Sequence, residues 1–120
     1  MTIQVLLCEA EPMIHDLMSD YLSPLGFKLV VARNEYQCLE MLNKKMPDII
    51  LLDTHLPNNG GVQTMTKIRQ KGVKAPVLLL ASNYGITSQE EAIKLGANGF
   101  IEKPFKLKDV LERVLSVLPN

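Results

Sequence analysis

Apolar residues along this chain come in two rhythms. Five short runs are apolar at neighbouring positions: Ile3–Cys8, Lys28–Ala32, Asp48–Asp53, Val77–Ala81 and Gly99–Glu102. Continuous apolarity of that length suits parallel strands covered on both faces, where no side chain meets water. Between the runs, apolar residues recur every three or four positions, the spacing of one helix face. The first such stretch starts at Pro12, a favoured early helical residue, and turns Ile14, Leu17, Met18, Tyr21 and Leu22 inward. Asn34 is placed to cap the second, with Cys38, Leu39, Met41 and Leu42 inward and Pro47 beyond its end. Gly60-Gly61 opens the third, which carries Val62, Met65 and Ile68 and closes at Gly72. Ser88 and Glu91 have capping-box spacing at the start of the fourth, which Gly96 ends. The fifth carries Val110, Leu111, Val114, Leu115 and Leu118.

Five strand–helix units in 120 residues predict one domain over residues 1–120. Its fold class is α/β, a doubly wound five-stranded parallel sheet with right-handed crossovers and flavodoxin-like order 2-1-3-4-5. In that order the ligand crevice lies outside the ends of strands 1 and 3. Functional residues are therefore expected just after Cys8 and Leu52, with help from the ends of strands 4 and 5.

Composition removes several alternatives. The chain is 47% apolar and 22% charged, and 13 basic residues balance 13 acidic ones. A net charge of zero argues against an electrostatic nucleic-acid binder or a polybasic membrane module. The apolar runs are strand-sized, well short of the roughly 20 residues of a membrane span. MTIQVLLCEAEP has neither a basic region nor a small-residue cleavage site, so no secretory signal is expected. Cys8 and Cys38 form no CxxC pair and are expected to be free thiols of a reducing cytoplasm.

The strand ends carry the chemistry. Strand 1 runs into Glu9-Ala10-Glu11 and strand 3 ends in Asp53. Strand 4 ends in Ala81-Ser82-Asn83, strand 5 in Glu102-Lys103-Pro104-Phe105. Carboxylates converging on one crevice suit Mg²⁺, which takes oxygen ligands and keeps phosphate oxygens among them. A lysine opposite can neutralise a phosphoryl oxygen as a compact point charge. Asp53 could then take a phosphoryl group as an acyl phosphate. Each residue alone has a plainer reading. Asp53 could open a loop, Lys-Pro-Phe could be a turn, and Glu9 and Glu11 could favour a helix N-terminus.

Asp53-Thr54-His55-Leu56-Pro57 with Gly61 following, Leu95-Gly96-Ala97-Asn98-Gly99-Phe100, and Lys103-Pro104-Phe105 resemble receiver domains of two-component response regulators. The resemblance, CheY-like, covers essentially the whole chain. It implies that Asp53 accepts a phosphoryl group from a histidine kinase or phosphotransfer protein and that Lys103 contacts that group. It further implies a cis Lys103–Pro104 bond, Mg²⁺ held by Glu9, Asp53 and the backbone carbonyl of His55, and Phe100 as the switch aromatic. Such a domain is a phosphorelay component of the cytoplasm rather than an enzyme. It signals through the face of its fourth helix, fifth strand and fifth helix, here around Lys94, Phe100, Lys106 and Lys108. A homodimer is compatible with this; nucleic acid and membrane are not expected partners of the domain. The chain stops just after its fifth helical stretch, as a stand-alone receiver or one excised from a longer protein would.

Two positions depart from that pattern. Ala10 stands where receivers carry a second acid that binds the metal, and Ala81 stands where they carry Ser or Thr. Losing a carboxylate about 4 Å from a divalent ion forfeits several kcal/mol at an effective dielectric of about 20. A net loss of about 3 kcal/mol is already more than a hundredfold in affinity. Glu11 could reach the metal instead, since alternate residues of an extended segment share a side. Ser82 could restore the hydroxyl, provided the loop bends it back to the face of Ala81. An alternative function follows: a pseudo-receiver that keeps the fold as a phosphorylation-independent interaction module. A flavin carrier fits poorly because Glu9 and Glu11 would repel its phosphate, and no Walker A or GxGxxG motif is present. An aspartyl phosphatase would normally place its nucleophile after the first strand rather than the third.

Overall fold

The computed structural model describes residues 2–57, 60–82 and 88–119. In chain order they form β1 (Ile3–Cys8), α1 (Pro12–Leu22), a 3-10 turn (Ser23–Leu25), β2 (Phe27–Ala32), α2 (Glu35–Lys44) and β3 (Ile49–Asp53). There follow α3 (Gly60–Gln70), β4 (Val77–Ala81), α4 (Gln89–Lys94), β5 (Gly99–Glu102) and α5 (Leu107–Val117). All neighbouring strands pair in parallel, and the sheet order is β2-β1-β3-β4-β5. This is the topology expected from the alternation of strand and helix patterns. No helix among the described residues is long and apolar enough to cross a membrane.

Strand side chains alternate between two cores, which is why the runs are apolar at every position. On one face Leu6, Cys8, Ile50, Leu52 and Leu79 meet Cys38 and Leu42 of α2, Met65 and Ile68 of α3, and Ala92 of α4. On the other, Val5, Leu7, Ile49, Leu51, Leu78 and Leu80 meet Met18 and Leu22 of α1 and Val110 and Val114 of α5. β3 and β4 are buried along their whole length. β2, at the edge, alternates between buried and open positions instead.

Several local expectations shift by a residue or a face. β2 begins at Phe27, and Asp48 stands before β3 rather than inside it. Its carboxylate accepts from the Gln4 N–H at 2.7 Å while its own N–H donates to the Gln4 carbonyl at 2.8 Å. In α1 Leu17 is half exposed and His15 is buried in its stead. Val62 of α3 is exposed and Thr64 takes a buried place. Leu115 of α5 faces outward, and Leu118 follows the end of that helix. In each case helix placement on the sheet, set by larger neighbours, decides which edge of a broad apolar stripe turns in. Asn34 caps α2 through the Gln37 N–H at 2.8 Å. Ser88 Oγ accepts from the Glu91 N–H at 3.1 Å and donates to its carboxylate at 3.2 Å. Both cysteines are free and buried, and their sulfurs lie 3.0 Å apart, joining β1 to α2.

Candidate functional site

β1, β3 and β5 end on the same side of the sheet, and Glu9 just after β1, Asp53 at the end of β3 and Lys103 just after β5 meet in a common crevice. Asp53 closes β3 and is almost fully buried, at 5% exposure. Its Oδ1 accepts from the His55 N–H at 3.0 Å, and its Oδ2 lies 3.3 Å from Lys103 Nζ. Glu9, one residue past β1 and 1% exposed, accepts from Lys103 Nζ through Oε1 at 3.0 Å. Lys103 is thus brought between two acids, one of them 94 positions away in sequence. The Lys103–Pro104 peptide is cis. Behind Asp53 the start of α3 lies against the β3 backbone, with the Gly61 N–H on the Thr54 carbonyl at 3.0 Å. A Cβ at Gly61 would sit 2.0 Å from the Asp53 carbonyl oxygen, so only glycine admits this approach.

The two carboxyls are unlike. Burial, with the Asp53 carboxyl beside it, raises Glu9 to about 8, although Lys103 pulls the other way. Burial would raise Asp53 too, but the Glu9 carboxyl, the His55 N–H and Lys103 together hold it below the usual range. Burial would likewise lower Lys103, but Glu9 and Asp53 outweigh it and the ammonium is held more firmly charged. The crevice therefore presents an ionised Asp53, a charged Lys103 and a Glu9 carrying the spare proton at neutral pH. Like charges at close range force this division.

Glu9 Oε2 is buried without a hydrogen-bond partner. A buried carboxyl oxygen left without a partner costs free energy, and once Glu9 loses its proton this oxygen, beside an ionised aspartate, is chemically suited to a hard cation. Glu9 and Asp53, both reached by Lys103, make a set of oxygen donors of the kind that Mg²⁺ takes. It is a lean set, because Ala10 adds nothing and Glu11 is exposed at the start of α1. No three His, Cys, Asp or Glu side chains converge as a metal cluster among the described residues.

At the end of β4, Ala81 is fully buried in the core toward α3 and α4. The next residue is the informative one. Ser82 Oγ hydrogen-bonds the ring Nε2 of His55, whose side chain is exposed, and Ser82 shares a concavity with Lys103. Asn83 lies outside the described residues. Phe100 is half buried, packed against the core toward α3 and α4. Lys106 and Lys108 are exposed, and Lys94 pairs with Glu90 at 3.9 Å with both side chains open to solvent. Sequence reasoning missed His15, whose ring donates to the Glu9 carbonyl oxygen from within α1 and steadies the turn that aims Glu9 inward. An outward-looking position in the helical pattern gave no sign of it.

Comparison with known proteins agrees with this geometry. The family model described as response regulator receiver domain matches residues 5–115. The chain is 31% identical over 113 residues to the transcriptional regulatory protein YxdJ of Bacillus subtilis (strain 168), covering 94% of this chain and 49% of that protein. It is 29% identical over 116 residues to the Regulator of RpoS of Escherichia coli (strain K12), covering 96% and 34%. The chain thus spans about half, or less, of these curated relatives. The structure of NtrX from Brucella abortus superposes with a TM-score of 0.88 at 28% identity, over 98% of this chain and 27% of that one. Chemotaxis protein CheY4 of Vibrio cholerae shares the fold with a TM-score of 0.86 at 24% identity, over 98% and 100%. With its doubly wound sheet, acid-and-lysine crevice and family match over nearly its whole length, the chain belongs to the response regulator receiver domain family.

Proposed function

We propose that Asp53 is the phosphoryl acceptor of this receiver domain and that the donor is a phosphohistidine of a histidine kinase or phosphotransfer protein. One observation carries the assignment: a buried, ionised Asp53 carboxylate lies 3.3 Å from the Lys103 ammonium at the mouth of the sheet. An Asp53 carboxylate oxygen attacks phosphorus, the phosphorus–nitrogen bond of the donor breaks, and its electron pair returns to the departing imidazole. Lys103 is already within reach and can turn from the carboxylates to a phosphoryl oxygen, offsetting the added charge. Mg²⁺, when bound, would shield the phosphoryl oxygens. Glu9, Asp53 and the His55 carbonyl are the groups that would hold it, and Glu9 would give up its proton to do so. Asp53 is modified stoichiometrically, so the domain is a switch rather than an enzyme.

Output is proposed to run through the face of α4, β5 and α5. A concavity of about 520 Å³ lies there between Phe100, Phe105, Asp109 and Arg113, and Lys106 and Lys108 are exposed nearby. Incubating the chain with a small acyl phosphate and Mg²⁺ should give a hydroxylamine-sensitive phosphoprotein detectable by intact mass. The Asp53→Asn variant should remain unmodified. Equal labelling of that variant, or none of the wild type, would reject the assignment.

A further inference from the structure

Ala81 leaves the end of β4 without the hydroxyl that a phosphoryl group on Asp53 would need from that side. We propose that Ser82, oriented by the ring of His55, supplies the missing phosphoryl-oxygen donor, so that the two side chains form an oxyanion clasp over Asp53. The inference rests on Asp53 being the acceptor.

Three observations place the clasp. The His55 N–H is on Asp53 Oδ1 at 3.0 Å, so the residue is anchored to the acceptor by its backbone. Its ring Nε2 hydrogen-bonds Ser82 Oγ, which bridges the loop after β3 to the end of β4. Ser82 and Lys103 also line one concavity, and Lys103 Nζ lies 3.3 Å from Asp53 Oδ2. Hydroxyl and ammonium thus share one concavity, and the ammonium reaches the Asp53 carboxylate.

Strict alternation along β4 would send Ser82 to the face opposite Ala81, and Ser82 lines a concavity with Ile14 and Leu17 of α1, away from the core that holds Ala81. That is the side on which Lys103 lies. A hydroxyl at this position therefore need not mimic the one lost from Ala81; it approaches the phosphoryl group beside Lys103. With His55 Nε2–H donating to Ser82 Oγ, the hydroxyl proton is left free for a phosphoryl oxygen. The hydrogen bond it receives makes it a better donor, as in any chain of hydrogen bonds. Donation to a charged oxygen is worth more than to a neutral one.

The test uses beryllium fluoride with Mg²⁺, a non-covalent phosphoryl mimic, on the whole chain, followed by backbone amide and ¹⁹F NMR. Ser82→Ala should weaken saturation roughly tenfold, the loss of one hydrogen bond to a charged acceptor. It should also shift one bound fluorine resonance, while the fluorine that cross-relaxes with Lys103 protons stays in place. Ser82→Thr keeps the hydroxyl and should bind as the wild type does, and His55→Ala should lose part of the affinity. Ser82 is only half buried, and unchanged amide dispersion will show that the variants fold. Binding of Ser82→Ala within about twofold of wild type, with no fluorine shift, would overturn the clasp alone. Absence of saturable binding by the wild-type chain would overturn the Asp53 assignment, and the clasp with it.

Discussion

Glu9 is where a single residue changes how the molecule responds to pH. Its folded value is raised from 4.5 to about 8, so the native state binds a proton that the unfolded chain has released. Stability from that proton is complete below about 4.5 and is lost as pH rises through about 8. Asp53 works in the opposite sense but in acid, since its value is lowered from 3.8. Urea midpoints measured with metal chelated should therefore fall between pH 4.5 and 8. Glu9→Gln, which keeps the shape and cannot ionise, should remove that slope. The presence of an acid after β1 was plain in the sequence. Which of two acids keeps the proton was not, because it follows from burial and from a lysine 94 positions away.

Among the elements, α3 and α4 bear most directly on the site. The start of α3 touches the backbone of Asp53, and a methyl at Gly61 would meet the carbonyl oxygen at 2.0 Å. Gly61→Ala should cost about 1–3 kcal/mol or more, as overpacking does, and should slow Asp53 labelling because the acceptor strand must shift. The six-residue α4 depends on its first turn, so Ser88→Ala should lose about 1 kcal/mol by chemical denaturation. Both helix starts were legible in sequence, as Gly-Gly and as a Ser-x-x-Glu spacing. Which residues of the helical stripes turn inward was less so. His15 and Thr64 are buried where Leu17 and Val62 were expected, since the strands beneath settle the rotation of each helix.

At the scale of the whole molecule, two cores share one sheet, so neither can loosen without uncovering β1, β3 and β4. Leu79→Ala, at a fully buried position of β4, should cost about 2–5 kcal/mol while unfolding stays a single transition by tryptophan-independent probes such as far-ultraviolet dichroism. The cysteines report on the same cooperativity. Burial first, and then contact with Cys38, push the Cys8 thiol well above its usual range, so it stays protonated. Both thiols should resist an aromatic disulfide reagent in the native protein and react together on unfolding.

By itself the sequence determined the order and type of the elements, the two-sided core and the convergence of Glu9, Asp53 and Lys103 on one edge. Periodicity is a local property, and the crevice of a doubly wound sheet lies at a place that strand order dictates. Tertiary structure alone decided the finer chemistry. It left Glu11 in solvent, set Cys8 against Cys38, placed His15 beneath Glu9 and divided one proton between two acids. It also joined Ser82 to His55 across 27 positions. Such contacts depend on how distant segments meet, and the balance of burial against charge turns on ångström separations that no spacing along the chain encodes.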